Sequence, residues 1–232
     1  MSKIGIIGAM ELEVEELKSK MENPVITTKA GMDFFEGALN GVPAVIVRSG
    51  IGKVNAALCV QILVDLFNVT HIINTGVAGS LNAKLDIGDI LISQNALHHD
   101  MDVSPLGYEP GIVPQMDCSV FEADAKLISL AKASCEKVNP DVHAIIGRVV
   151  SGDQFIAGKD IKDKLINAFH GDCAEMEGAA IAHGAYLNKI PFVIIRAISD
   201  KADNSATLDY PTFEKAAAAH CARLVEDMIK DM

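Results

Sequence analysis

Short apolar runs alternate with longer amphipathic segments along most of this chain. Five runs are predicted to be buried strands, because each is short, apolar and followed by glycine or polar residues; they cover residues 3–7, 71–74, 89–95, 144–150 and 191–197. Residues 33–39 and 42–47 flank Asn40-Gly41, a dipeptide typical of β-hairpin turns. The segments between strands predict helices at residues 9–21, 49 to about 67, 123–138, 160–169, 178–187 and 212–230.

The alternation of strands and helices predicts the fold class. It is typical of an α/β fold with a largely parallel central sheet flanked by helices, and the hairpin makes that sheet mixed. No repeat, linker or shift in composition divides the sequence, so we expect a single domain over residues 1–232. Residues 98–120 include three prolines and have no periodicity. They predict a long loop, which in a compact domain is usually functional or interfacial.

The composition narrows the class of protein. Of the 232 residues, 50% are hydrophobic and 22% are charged, which is ordinary for a soluble globular protein. The net charge of −11, with the 20 Lys and Arg residues scattered, argues against nucleic-acid binding, because an acidic surface repels phosphates. The N-terminal apolar run is too short for a signal peptide or membrane span, and the five cysteines form no CxxC motif. We therefore expect a cytoplasmic protein with free thiols and no membrane partner.

Chemically active residues follow the predicted strands. In open α/β sheets, ligands bind beyond the carboxyl ends of the strands. Carboxylates, one arginine, one phenylalanine and glycine turns occur in segments 8–13, 74–79, 151–156, 175–178 and 196–200. Because five segments carry such groups, we expect them to converge on one ligand site.

Each charged candidate in these segments also has an alternative interpretation. Glu13 lies in a first helical turn, where acids commonly interact with the helix dipole. Asp200 could be a helix N-cap. Glu175 and Glu177 are two residues apart and project to different sides, so one could be functional and the other solvated. Arg196 lies in an apolar strand, where a charge requires a partner, so we expect it to pair with a site carboxylate.

The sequence lacks motifs for several other ligands. The segment Ser49-Gly50-Ile51-Gly52-Lys53 does not fit the GxxxxGK[ST] pattern of triphosphate sites, and the GxGxxG pattern of dinucleotide sites does not occur. His98 and His99 are adjacent, and adjacent side chains on an extended segment point apart. We therefore expect no metal site at this histidine pair.

Eight sequence segments occur in an order known from one enzyme family. They are KIGIIGAMELEV, SGIGKVNAA, INTGVAG, LDIGDI, HHDMDV, VSGDQFI, EMEGAAIAH and PFVIIRAISDKAD. In these segments the chain resembles the 5′-methylthioadenosine/S-adenosylhomocysteine nucleosidases, from residue 3 to about residue 213. The GVAG turn recurs among purine nucleoside phosphorylases, whose fold is related. The combination of AMELEV, SGDQFI, EMEG and RAISD is specific to the nucleosidases.

The resemblance implies a nucleoside phosphorylase-like fold and a cofactor-free and metal-free hydrolase. Its substrates would be 5′-methylthioadenosine, S-adenosylhomocysteine and also 5′-deoxyadenosine. Asp200, positioned by Ser199, would protonate N7 of adenine, and Glu13 would activate the attacking water. Glu177 would hold the ribose hydroxyls, with Arg196 supporting the carboxylates. The other implied contacts are Phe155 and Ile156 at adenine, Met176 beside Glu177, Val77 near the sugar or water, and Met10, Ile51 and Tyr210 at the 5′-thioether. Gly79 and Glu175 are further implied substrate-binding residues.

The resemblance also implies a homodimer in which the long loop lends residues to the neighbouring active site. The lent residues would be Val103, Leu106 and Pro114. The chain departs from some family members at three positions: Val77 stands where they have serine, and Leu106 and Tyr210 stand where they have phenylalanine. These departures leave the preference for the 5′-group open.

Two other functions remain as alternatives. A phosphorolytic purine nucleoside phosphorylase would need arginines or backbone donors around phosphate, whereas the segment after the first strand carries Glu11, Glu13, Glu15 and Glu16. A non-catalytic nucleoside-binding protein would need contacts to adenine and ribose but no acid–base pair. Hydrolysis needs both an acid and a base, because adenine is a poor leaving group that requires a proton and water is a weak nucleophile.

Overall fold

The computed structural model of the protein describes residues 2–232 and contains a ten-stranded sheet. The strands are β1 (Ile4–Gly8), β2 (Glu22–Lys29), β3 (Met32–Leu39), β4 (Val42–Arg48), β5 (His71–Ser80), β6 (Ile90–His98), β7 (Phe121–Glu122), β8 (Ala144–Ser151), β9 (Cys173–Glu175) and β10 (Phe192–Asp200). The helices are α1 (Glu11–Ser19), α2 (Lys53–Phe67), α3 (Ala125–Val138), α4 (Lys159–Phe169), α5 (Gly178–Asn188) and α6 (Ala206–Met228).

Half of the sheet closes on itself. The strand order runs β10-β6-β8-β9-β5-β1-β4-β3-β2, and β10 also pairs with β5. Strands β10, β6, β8, β9 and β5 therefore form a ring, from which β1, β4, β3 and β2 extend. Parallel pairing joins β1 to β4 and β5, β10 to β5, and β8 to β6 and β9, while the remaining pairs are antiparallel. The predicted α/β fold with a mixed sheet is confirmed.

Helices cover both faces of the sheet and bury its apolar residues. On one face, α2 and α5 enclose a cluster that includes Leu63 and Ile181. On the other face, α1, α3 and α6 enclose a cluster that includes Leu17, Ala131 and Val225. A smaller cluster forms under α4. These clusters fix the strands whose carboxyl ends carry the candidate residues.

Several boundaries differ from the sequence-based prediction. Strand β2 was not predicted, because it lies at the sheet edge, is largely exposed and lacks an alternating apolar pattern. Strands β7 and β9 are too short for a periodic signal. Strand β5 continues through Gly76, where we expected a break. Helix α6 begins at Ala206 rather than at residue 212, with Pro211 inside the helix in its second turn.

The predicted long loop is confirmed, with one short element inside it. Between β6 and β7 the only regular structure in the described chain is the single 3₁₀ turn Ser104–Leu106. Within residues 2–232, no helix combines the length and apolar character needed to cross a membrane.

Candidate active site

The carboxyl ends of β1, β5 and β10 surround a cavity of about 260 Å³. Twelve of the predicted site residues line it: Met10, Glu13, Ile51, Val77, Gly79, Phe155, Glu175, Met176, Glu177, Ser199, Asp200 and Tyr210. Ile156 lines a small adjoining cavity of about 30 Å³ that shares several of these residues. The expected convergence of the strand-end segments is therefore present.

Glu13 reaches from the first turn of α1 across to β5. The backbone N–H groups of Ala9 and Met10 donate to its Oε2 at 2.6 and 2.9 Å, which ties the carboxylate to the start of its own helix. The N–H of Val77 donates to Oε1 at 3.1 Å. Burial raises the pKa of Glu13, although Arg196 and these N–H groups act in the opposite direction. Glu13 thus combines the helix-end role with a place in the cavity.

Asp200 is the last residue of β10, is buried and pairs with Gly79 of β5. The N–H of Ala202 donates to its Oδ1 at 2.8 Å, and Ser199 Oγ lies 3.0 Å from its Oδ2. Burial raises the pKa of Asp200 despite these bonds. The interpretation of Asp200 as a helix N-cap is wrong, since α6 begins only after Ser205.

Glu175 and Arg196 form the buried ion pair that the sequence predicted for Arg196. Arg196 Nη2 donates to Glu175 Oε2 and, at 2.7 Å, to Asn74 Oδ1. Ser151 Oγ donates to the other oxygen of Glu175. Burial alone would raise the pKa of Glu175, but Arg196 and Ser151 outweigh it and lower that pKa. Glu175 is therefore held as a carboxylate.

Glu177 is buried as well, so the expectation that one of the two glutamates is solvated is wrong. Glu175 ends β9, and Glu177 lies two residues further on, directly before α5. Side chains two residues apart on a strand share a face, so this spacing did not require the two glutamates to diverge. The N–H of Gly52 donates to Glu177 Oε1 at 2.8 Å, and Arg196 Nη2 is 4.0 Å from Oε2. Burial and the neighbouring Glu175 charge raise the pKa of Glu177 to about 8.

Two glycines of β5 make room for the carboxyl groups. A Cβ at Gly76 would lie 2.3 Å from Glu13 Oε1, and a Cβ at Gly79 would lie 2.8 Å from Asp200 Oδ1. A strand rises about 3.3 Å per residue, so these contact points are roughly 10 Å apart along β5. Glu13 and Asp200 therefore approach the cavity from two sides with space between them.

Apolar side chains form the outer part of the cavity. The rings of Phe155 and Tyr210 meet edge to face, with centroids 5.7 Å apart, and Tyr210 Oη lies 3.2 Å from Met10 Sδ. Phe155 and Ile51 are half exposed. A flat apolar ring with one free face suits stacking on a heterocycle.

The predicted partner-loop residues lie outside this lining. Val103, Leu106 and Pro114 belong to the long loop, and Leu106 is 74% exposed. His98 and His99 do point apart: the His98 ring contacts His183 and Phe121, whereas the His99 ring lies against Phe169. Among residues 2–232 there is no group of three or more His, Cys, Asp or Glu side chains able to hold a metal ion.

Sequence reasoning missed several residues of the site. Ala9, Ala78 and Ala174 line the cavity, and alanine carries no chemical signal in a sequence. Asn74 and Ser151 form hydrogen bonds to the ion pair of Arg196 and Glu175. Both are polar residues at the ends of apolar runs, which is a signal that could have indicated them.

Glu177 leads to a prediction about stability and pH. Its pKa is raised in the folded protein, so its stabilising contribution is complete below its ordinary pKa of 4.5 and is lost as the pH rises toward 8. We expect Glu177→Gln to gain stability over the wild type across this window, by up to about 1.4 kcal/mol per pH unit. Urea unfolding at pH 5 and pH 8 measures this. The exposed Glu15→Gln is the control, and an equal pH response in the wild type and Glu177→Gln would contradict the prediction.

Comparison with known proteins gives one consistent result. A family model described as the phosphorylase superfamily matches residues 3–230. A 5′-methylthioadenosine/S-adenosylhomocysteine nucleosidase of Exiguobacterium sp. is 42% identical over 229 residues, which covers 98% of this chain and 97% of the relative.

Solved structures agree with the sequence relatives. A 5′-methylthioadenosine/S-adenosylhomocysteine nucleosidase from Colwellia psychrerythraea 34H, crystallised with adenine, is 39% identical with a TM-score of 0.94, covering 99% of this chain and 95% of its own. A futalosine hydrolase of Helicobacter pylori is 30% identical, also with a TM-score of 0.94. The match covers 100% of this chain and 98% of the hydrolase. The nucleoside phosphorylase-like fold is thereby confirmed. The chain belongs to the phosphorylase superfamily and, within it, to the 5′-methylthioadenosine/S-adenosylhomocysteine nucleosidases.

Proposed function

We propose that this protein hydrolyses the N-glycosidic bond of 5′-methylthioadenosine, S-adenosylhomocysteine and 5′-deoxyadenosine, releasing adenine and the 5-substituted ribose. One observation carries the proposal: two buried carboxyl groups with raised pKa values, Glu13 and Asp200, approach one cavity from two sides. Such a pair supplies an acid for the leaving group and a base for water.

Asp200 acts as the general acid. As the bond between C1′ and N9 breaks, its electron pair moves into adenine, and Asp200 donates its proton to N7. Burial keeps a proton on this carboxyl at a higher pH than usual. Ser199 holds Oδ2, and the Ala202 N–H holds Oδ1, so the acid is oriented before substrate binds.

Glu13 acts as the general base. It takes a proton from the water whose oxygen attacks C1′, on the face opposite the departing adenine. The N–H donors from Ala9, Met10 and Val77 fix its orientation. Attack from the opposite face gives inversion at C1′, by analogy with glycoside hydrolases that work through a water.

The remaining acidic groups favour the positive charge that develops on the sugar. Bond cleavage passes through an oxocarbenium-like state. Glu175 is held as a carboxylate beside the cavity, and Glu177 is assigned to the ribose hydroxyls. Phe155 stacks on adenine, while the Ile156 and Met176 backbones flank the base and ribose. Met10, Ile51, Val77, Gly79 and Tyr210 enclose the sugar and its 5′-group.

The charge distribution favours hydrolysis over phosphorolysis. Phosphate binding calls for several cationic or N–H donors. The described lining of the cavity has no lysine or arginine, and Arg196 beside it is already paired with Glu175. The carboxylate of Glu175, and that of Glu13 when it acts as the base, would repel a phosphate dianion. A purely binding protein has no use for two buried carboxyl groups with raised pKa values.

The test is adenine release followed by chromatography. We expect turnover with 5′-methylthioadenosine, S-adenosylhomocysteine and 5′-deoxyadenosine, in an order that the departures at Val77, Leu106 and Tyr210 determine. Futalosine serves as the comparison substrate, because the relative from Helicobacter pylori is named for its hydrolysis. Binding of the adenine nucleosides without release of adenine would contradict the proposal.

The protein is further proposed to be a homodimer whose long loop completes the neighbouring site through Val103, Leu106 and Pro114. Exposed apolar side chains support this: Leu106 on the loop, Val54 and Leu58 on α2, and Leu187 on α5. Such side chains on one molecule form a sticky surface unless another chain covers them. In a two-fold symmetric dimer, the copies of these side chains on both subunits would be buried in the interface.

Leu106→Asp is expected to weaken the dimer and to raise KM for thioether substrates at least about 10-fold, because a buried leucine contributes roughly 1.5–3 kcal/mol. The affinity for free adenine should change little. Analytical ultracentrifugation at micromolar concentration measures the assembly, and initial rates measure KM. A fully active wild-type monomer at that concentration would disprove the shared site.

The cytoplasm is the proposed location. All five cysteines are free, and four of them are buried. Unpaired thiols are typical of proteins in reducing compartments.

A further inference from the structure

Lys53, Asp100 and Asp153 form a closed ring of polar contacts, and two of them lie two residues from Ile51 and Phe155, which line the cavity. Lys53 Nζ donates to Asp100 Oδ1 at 2.5 Å, and the Asp153 N–H donates to Asp100 Oδ2 at 3.0 Å. The Lys53 N–H donates to Asp153 Oδ1 at 2.9 Å. Each residue therefore contacts the other two, although 47 and 53 residues separate Asp100 from its partners in sequence. We call this the rim cluster.

Each member of the rim cluster starts or borders a segment with a proposed role. Lys53 follows Gly52, whose N–H donates to Glu177, the proposed ribose contact. Asp153 lies two residues before Phe155, the proposed adenine contact. Asp100 lies at the start of the long loop that carries Leu106. The rim cluster thus joins the segments assigned to ribose, adenine and the neighbouring site.

The ion pair in the rim cluster is better shielded than most surface pairs. The side chains of Lys53 and Asp100 are only 21% and 16% exposed. By contrast, the pair Lys159–Asp163 on α4 is 72% and 46% exposed. Shielded pairs in a network lose less to solvent screening, and their geometry is better defined. The cluster can therefore fix the positions of its three segments relative to one another.

We propose that Lys53, Asp100 and Asp153 are positioning residues that couple the long loop to the adenine and ribose contacts. This inference rests on the proposed function of the cavity. It predicts that loss of the ion pair displaces Phe155 and Glu177 relative to Leu106 while Glu13 and Asp200 stay in place. Substrate binding then weakens more than the chemical step.

The test separates KM from kcat in variants of the ion pair. Lys53→Met and Asp100→Asn are expected to raise KM for 5′-methylthioadenosine about 10-fold and to change kcat less than about 3-fold. Lys53→Arg keeps the charge and should restore KM to near the wild-type value. Lys159→Met removes an exposed pair as the matched control and should leave both constants unchanged.

Hydrogen exchange of the unliganded protein gives a readout that does not depend on turnover. Both Lys53→Met and Asp100→Asn should speed amide exchange in residues 99–108 and in residues 152–157 together. An increase only beside the substituted residue, or a lower melting temperature with KM unchanged, would overturn the proposal. If the wild type releases no adenine, the proposed function fails, and the exchange pattern alone decides the role of the rim cluster.

Discussion

Asp200→Asn is expected to lower kcat at least about 100-fold, because general acid catalysis contributes roughly 10²–10⁴-fold to such reactions. An amide keeps the size of the side chain but cannot deliver an acidic proton to the departing adenine. The effect should fall on kcat and kcat/KM together, since the proton is needed only as the bond breaks.

The surroundings of Asp200 allow this substitution without loss of the fold. The Asn carbonyl can accept from the Ala202 N–H as Oδ1 does now. Its amide can donate to Ser199 Oγ, whose hydroxyl can turn toward the Ala78 carbonyl 3.4 Å away. Calorimetric binding of adenine and a thermal melt check that the site and fold persist. Turnover above about a tenth of the wild-type value would mean that Asp200 is not the acid.

Glu13→Gln should be the second severe variant, with turnover lowered about 100-fold or more through loss of the base. Glutamine has one oxygen where Glu13 uses two, so its amide must face the N–H of Val77 or those of Ala9 and Met10. A modest loss of stability is therefore expected as well, about 1–3 kcal/mol for one unsatisfied buried donor.

Two measurements separate the catalytic loss at Glu13 from the structural one. Glu11→Gln changes an exposed acid in the same helical turn and should retain wild-type turnover. The pH dependence of kcat/KM should be bell-shaped in the wild type, because Glu13 must be deprotonated and Asp200 protonated. Glu13→Gln should remove the acidic limb of that profile. An unchanged profile and rate would leave Glu13 only its helix-end role.

The sequence predicted much of the fold because its central strands are continuous apolar runs. Strands β1 and β10 are buried along their whole length, which gives the uninterrupted hydrophobic signal of central strands. The pairing of β10 with both β6 and β5 closes half the sheet into a ring, and this was not predictable. Periodicity identifies elements, whereas closure depends on strand pairs far apart in sequence.

The residues of the site were also predictable only in part. Charged residues at strand ends indicated Glu13, Glu177 and Asp200, because charge near an apolar run is conspicuous. The contacts that orient them come from backbone N–H groups, such as those of Val77 and Gly52, which a sequence does not reveal. The joint burial of Glu175 and Glu177 was not expected from their two-residue spacing, although side chains two residues apart on a strand share a face.

The most direct test of the central claim is the identity of the nucleophile. Adenine release from 5′-methylthioadenosine should proceed at the same rate with and without inorganic phosphate, and ³¹P NMR should detect no sugar phosphate. This outcome is expected because the acidic cavity excludes phosphate and Glu13 activates water. A rate that requires phosphate, together with formation of a ribose 1-phosphate ester, would contradict the hydrolytic mechanism and assign the cavity to phosphorolysis.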